Sequence, residues 1–457
     1  MKIKTKIFAI MIILITIINI YCAPLTAQAT NQAQATTQNQ LTDTTQTTVP
    51  EPNFKIYSEA AILIDSNTGK VLYGKNEHQK QYPASTTKII TAILAIENCK
   101  LTDRISASYD AVMSIPSGYA NAGIQPGEEF TVKDLLNMFL IHSANEIGNI
   151  FAEHISGSIE DFALLMNQKA AELGCQNTHF TNPSGIHDPE HYSTAYDMAL
   201  IARHCMKNDT FRSIVSTLKY SVEATDKTEK RYFRNTNDLI DPSSKYYYES
   251  AIGMKTGFTS QAKNCLIGAS LKDNLELITV ALGAEAADDG RSGRYVDTLN
   301  LFDYGYANYK TQQIATKNTV IEEIVVGNAT KETENLSLLL KDSITGITPA
   351  NLDLNNLDYT VKLNETISAP ISEGEILGKI TYNIDGITYT SDLIANHSVE
   401  ELDIKLLITQ VGLALLVLFI LFKLLFRKKK TKSKKKYSSK NNKRKKSNRT
   451  SDSIYKF

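Results

Sequence analysis

The chain has 457 residues with 42% hydrophobic content, enough to bury more than one core and too apolar for a disordered protein. Its 49 Lys and Arg balance 49 Asp and Glu, but the zero net charge sums unlike regions. Residues 30–405 hold roughly 30 basic against 48 acidic side chains, a net charge of about −18 that argues against nucleic acid as a partner of this part.

Lys2, Lys4 and Lys6 precede an apolar run from Ile7 to about Ile20 and a small-residue site at Ala27-Gln28-Ala29, so residues 1–29 read as a secretory signal peptide. Cys22 invites comparison with a lipoprotein signal, but Tyr21 stands where such signals need a small residue. Residues 30–53 are rich in Thr, Gln, Asn and Ala and read as a disordered tether. "AAILIDSNTGKVLYGKN" then predicts a hairpin, with helical patterns to about Asn208 and strands returning near Ala251–Gly253 and Cys265–Leu282. Arg294 to Tyr306 has the spacing of a closing helix. Strands at both ends with helices between them predict an α+β unit over 54–312, an antiparallel sheet built from distant segments and packed on a helical body.

A second unit, 313–393, is β-rich, with alternation on either side of the Asp385-Gly386 turn and no cluster of catalytic side chains. A short linker, 394–405, leads to 406–426, about 21 nearly all apolar residues and long enough to span a bilayer. Only Lys423 is charged there, near enough to the end to snorkel. The tail, 427–457, holds about 14 basic residues between Arg427 and Arg449 and no acidic one in that stretch. The positive-inside rule predicts a cytoplasmic tail in contact with anionic membrane lipids, and an extracellular position for everything before the span. Cys99, Cys175, Cys205 and Cys265 lie far apart in apolar contexts without a CxxC pair, so buried free thiols are expected.

Three short motifs carry the chemistry. Ser85 and Lys88 in "YPASTTKIITA" are three apart where an apolar run begins, so on a helix they share a face. Taken alone, the pair reads as a helix cap beside a solvated lysine; a serine nucleophile, however, needs an adjacent base, and a lysine held among cations in a buried site is neutral enough to serve. Ser143 and Asn145 in "FLIHSANEIGN" follow an apolar helix and can contact a bound amide and relay a proton. Lys255, Thr256 and Gly257 in "AIGMKTGFTS" suit an edge strand that a peptide backbone approaches closely, with charge and hydroxyl for a carboxylate. The histidines His142, His179, His187, His191 and His204 have no metal-binding spacing, and no metal or other cofactor is expected.

In this order and context the motifs resemble those of the penicilloyl-serine enzymes, and within them the low-molecular-mass penicillin-binding proteins that act as serine-type D-Ala-D-Ala carboxypeptidases. The likeness extends through "TNPSGIHDPEHYSTAYDMALIAR" and Arg294…Tyr304-Gly305-Tyr306. It implies a β-lactamase/DD-peptidase-like catalytic domain. Ser85 would be acylated, Lys88 would act as general base, and Ser143 and Asn145 would assist. Lys255 and Thr256 would hold the substrate carboxylate. The oxyanion would be bound by the N–H of Ser85 and that of either Phe258 or Thr259; Arg294 is a further candidate for the carboxylate, with a structural salt bridge as its alternative. The implied partners are peptidoglycan stem peptides ending in D-Ala-D-Ala and β-lactams as covalent inhibitors. Glu146 departs from the Asp that often follows the second motif, and a membrane span departs from the usual amphipathic surface helix. A β-lactamase is disfavoured by the lack of an ExxLN motif between Asn145 and Lys255, while a cross-link endopeptidase or an inactive wall-binding scaffold would share the fold.

Overall fold

The structure, a computed structural model, describes residues 49–425; the expected signal peptide, most of the tether and the basic tail lie outside the described residues. The chain enters through the hairpin β1 (Ala60–Asp65) and β2 (Val71–Lys75). A 3-10 turn, Ala84–Thr87, leads directly into α1 (Lys88–Asn98), followed by β3 (Arg104–Ser106), α2 (Tyr109–Met113) and β4 (Glu129–Thr131). Then come α3 (Val132–Ile141), α4 (Glu146–Ser156), α5 (Ile159–Glu172), α6 (Ala195–Met206) and α7 (Asp209–Val215). Side-chain oxygens of Thr131, Ser158, Thr194 and Asn208 cap α3, α5, α6 and α7, each accepting an otherwise unpaired backbone N–H. The hairpin β5 (Lys219–Val222) and β6 (Arg231–Arg234) precedes β7 (Ala251–Thr259), β8 (Lys263–Lys272), β9 (Leu275–Ala284) and α8 (Gly293–Asn308).

Strands from the two ends of this unit form one antiparallel sheet in the order β2-β1-β9-β8-β7. Ala60 to Asp65 pair in register with Leu282 to Leu277, and all six β1 residues are buried, as expected for a strand covered on both faces. One face packs on the helical body, where Phe139, Phe151, Phe162 and Phe180 are almost fully buried. The opposite face is covered by α8 through Tyr295, Leu301 and Phe302. The β5–β6 hairpin was not anticipated: its strands are four residues each, too short and too charged to register as alternation.

The second unit comprises β10 (Tyr309–Ala315), β11 (Val320–Val325), β12 (Asn335–Leu340), β13 (Ile344–Pro349), β14 (Tyr359–Leu363), β15 (Ile376–Ile384) and β16 (Ile387–Ala395). Its five-stranded sheet runs β11-β12-β16-β15-β14 over a separate core, and β10 pairs with β13. The expected boundary at 312/313 falls inside β10. Asp385 and Gly386 both have positive φ, the backbone of a two-residue hairpin turn. Ile347 and Ile387 join the α8-side core of the first unit, and Lys70 Nζ meets Asp385 Oδ2 at 2.5 Å, so two hairpin tips lock the units together. The chain continues into α9 (Ile404–Leu425), long and apolar enough to cross a membrane.

Candidate active site

The site forms where β7, at the sheet edge, meets the 3-10 turn before α1. A side chain at Gly257 would press on this turn: a Cβ there would lie 3.0 Å from Ser85 N and 3.1 Å from Pro83 O and Thr86 N. Glycine is what lets the strand come so close. Ser85 sits in the turn and Lys88 begins the helix, the one-face arrangement expected from their spacing.

Lys88 is fully buried, and its Nζ has three oxygen partners: Ser85 Oγ at 2.9 Å, Asn145 Oδ1 at 2.7 Å and the Ser184 carbonyl at 2.6 Å. Burial is the main force holding its proton affinity well below the ordinary lysine value, and the Lys255 charge adds to it; the Glu146 carboxylate works against both. Ser143 and Asn145 occupy the short turn between α3 and α4. Ser143 has φ +67°, a strained left-handed conformation for a residue with a side chain, and Asn145 is anchored by donating its N–H and Nδ2 to the Ala120 carbonyl.

On the other side of the cleft, Lys255 is also fully buried; burial, with the Arg294 guanidinium nearby, brings its ammonium down to about 7. Thr256 Oγ1 is 2.8 Å from the hydroxyl of Thr236, just past β6. Thr259 has a structural duty, its hydroxyl accepting the Ala262 N–H at 2.9 Å, while Phe258 is 62% exposed at the strand edge. Arg294 forms no ion pair among the described residues. It donates to the carbonyls of Gly257 at 3.1 Å and Cys265 at 3.4 Å and so braces β7 against β8.

The structure thus brings Ser85, Lys88 and Asn145 into direct contact and sets Lys255, Thr256 and Gly257 along the adjoining strand. Three further residues were not singled out from sequence. Ser184 contributes a backbone carbonyl, which leaves no trace in residue type, and Thr236 belongs to no motif. Glu146 was noted only as a departure; it is 2% exposed and accepts the Ala122 N–H at 2.6 Å, while burial raises its proton affinity. His191 is buried beneath the site. Its Nδ1 accepts the Thr181 N–H at 3.1 Å, so Nε2 carries the proton and donates to Thr87 Oγ1 at 2.9 Å; burial lowers this imidazole to about 3, and it stays neutral. Cys205 and Cys265 are buried as expected, whereas Cys99 and Cys175 are partly exposed; all four are free. Among the described residues no group of three His, Cys, Asp or Glu side chains could hold a metal ion.

A family model described as D-alanyl-D-alanine carboxypeptidase matches residues 44–286, and one described as penicillin-binding protein 5, C-terminal domain, matches residues 309–401. The chain is 35% identical over 335 residues to D-alanyl-D-alanine carboxypeptidase DacF of Bacillus subtilis, covering 72% of this chain and 82% of that one. It is 30% identical over 341 residues to DacA of Haemophilus influenzae, covering 73% and 82%. Among solved structures it resembles penicillin binding protein 5 from Haemophilus influenzae, with TM-score 0.60, 27% identity, and 78% of this chain and 100% of that chain covered.

Proposed function

Because the chain belongs to the D-alanyl-D-alanine carboxypeptidase family, we propose that Ser85 is the residue it acylates and Lys88 the base that takes the serine's proton. The protein is a serine peptidase of cell-wall metabolism, a penicillin-binding D-Ala-D-Ala carboxypeptidase. The observation that carries the assignment is the partner set of Lys88. A neutral amine has two N–H donors and one lone pair. Asn145 Oδ1 and the Ser184 carbonyl accept the two N–H bonds, which leaves the lone pair for the Ser85 hydroxyl at 2.9 Å.

In the acylation step Ser85 Oγ attacks the carbonyl of the penultimate D-Ala as its proton passes to Lys88 Nζ. The tetrahedral intermediate collapses with cleavage of the C–N bond, and the proton goes to the departing D-Ala amine, with Ser143 as relay. Water then attacks the ester, its proton returning through Lys88, to release the shortened peptide and regenerate Ser85. The N–H of Ser85, together with that of Phe258 or Thr259, stabilises the oxyanion. Lys255 and Thr256 hold the terminal carboxylate, Gly257 lets the substrate backbone lie along β7, and Arg294 keeps that strand in place and adds positive potential. A β-lactam enters by the same attack and stays as a slowly hydrolysed ester.

Residues 54–308 form the catalytic domain in this reading and 309–395 a β-rich spacer. The C-terminal helix anchors the protein in the membrane, with the catalytic domain on the wall side and the basic tail against anionic lipids in the cytoplasm. The decisive experiment treats the detergent-solubilised full chain and Ser85→Ala with benzylpenicillin, followed by mass spectrometry and a D-Ala release assay on a stem pentapeptide. A penicilloyl adduct and D-Ala release, both abolished in the variant, are expected. Rapid penicillin turnover without an adduct would point to a β-lactamase, and inertness in every assay to a scaffold. Truncation before Ile404 is expected to move the protein from the membrane to the soluble fraction.

A further inference from the structure

Residues 115–124, within the segment between α2 and β4, have no regular structure and are mostly exposed, yet they and the preceding Ser114 are gripped from one side by a single helix. Asn149 Nδ2 donates to Ser114 Oγ at 3.0 Å, Asn145 holds the Ala120 carbonyl through N–H and Nδ2, and Glu146 Oε1 accepts the Ala122 N–H at 2.6 Å. All three belong to α4 or its first flanking residue, and Asn145 is itself in contact with Lys88. The second Glu146 oxygen is buried without a well-formed hydrogen bond, although the backbone N–H groups of Ile124 and of Glu146 itself lie close enough to the carboxyl to favour its charged form. A buried carboxyl oxygen so poorly paired is unfavourable, and an apolar side chain would fill the space without it. What the position keeps is an acceptor that reaches Ala122.

We propose that Glu146 is a positioning residue for the carboxypeptidase reaction, latching residues 115–124 onto the helix that carries Asn145 so that this segment forms a fixed wall for the bound stem peptide. The latch itself acts through the side-chain oxygen; the Glu146 charge separately raises the proton affinity of Lys88, so Glu146→Gln is judged on KM and exchange, while its kcat is expected to change with pH. Arg231 supports the same point from the β5–β6 hairpin by donating to the Ala122 carbonyl at 3.3 Å. The proposal rests on Ser85 being the nucleophile, so the wild-type adduct is established first; its absence would remove that reading before the latch is tested.

The test compares Glu146→Gln, Glu146→Asp and Glu146→Ala in the full chain. Steady-state D-Ala release, penicillin acylation rate and amide hydrogen exchange over residues 115–124 are measured. Glutamine retains an oxygen at the same reach, so its KM should stay within about twofold of wild type. Aspartate falls short by one methylene and alanine has no acceptor; both should raise KM about tenfold with a smaller change in kcat, with faster exchange across the segment. Should Glu146→Ala fail to fold, Glu146→Asp supplies the comparison. Unchanged KM and exchange in Glu146→Asp would overturn the latch, as would a Glu146→Gln variant as defective in KM and exchange as Glu146→Asp, since charge and not reach would then be the active feature.

Discussion

At the residue scale the roles proposed for the two buried lysines require opposite protonation states, and this would set the pH profile. Lys88 must be neutral to accept the Ser85 proton, so activity rises with pH through its depressed pKa. Lys255 must be charged to hold a carboxylate, and it loses its proton as pH rises through about 7. kcat/KM, which reports the free enzyme, is therefore expected to be bell-shaped, with one limb near 7 that belongs to Lys255. In kcat that limb should move to higher pH, because a bound carboxylate favours the charged lysine; coincident limbs would exclude Lys255 from carboxylate binding. Lys88→Arg should lower penicillin acylation by more than about 10³-fold without unfolding, because a guanidinium does not deprotonate. Lys255→Ala should cost about 10²-fold in kcat/KM on the peptide. The residues proposed for this chemistry were legible because serine, lysine and asparagine at fixed short spacings have few joint purposes. The Ser184 carbonyl and the Thr236 hydroxyl were not: one is backbone, and the other meets Thr256 only because the chain folds back over 20 residues.

At the scale of elements, the proposed mechanism depends on how closely β7 approaches the turn that carries Ser85. Gly257→Ala is expected to lower acylation by about 10–100-fold while shifting Tm little, since a misplacement of about 1 Å suffices for such a loss. Gly185 is the opposite case. It has φ +78° and lies against the Ala84 carbonyl, so Gly185→Ala combines backbone strain with a backbone clash and should destabilise by more than about 2 kcal/mol in denaturant unfolding. The central strands and the helical body were readable from periodicity because they are long and deeply buried. The β5–β6 hairpin and segment 115–124 were not, since short polar elements are held by long-range bonds such as Arg231 to Glu128 at 2.7 Å.

At the scale of the whole molecule, the two units meet as one piece through Ile347, Ile387 and the Lys70–Asp385 pair. Lys70→Met removes the charge and keeps the apolar stem; it is expected to reduce stability by less than about 1 kcal/mol, given that Asp385 is partly exposed. Hydrogen exchange should quicken at both hairpin tips with D-Ala release from soluble peptide unchanged, and a large activity loss would show that the joint shapes the cleft. The place of β1 beside β9 also has a consequence in time. Its hydrogen-bonded neighbour β9 lies some 210–220 residues further along the chain, with the whole helical body between them. At a synthesis rate of roughly 5–20 residues per second, β1 and β2 wait about 10–45 s for the strand that completes the sheet. Through that interval the nascent protein presents an unpaired edge of a strand that is apolar at every position but Asp65, and its survival until closure depends on how fast it is made and on what shields it meanwhile.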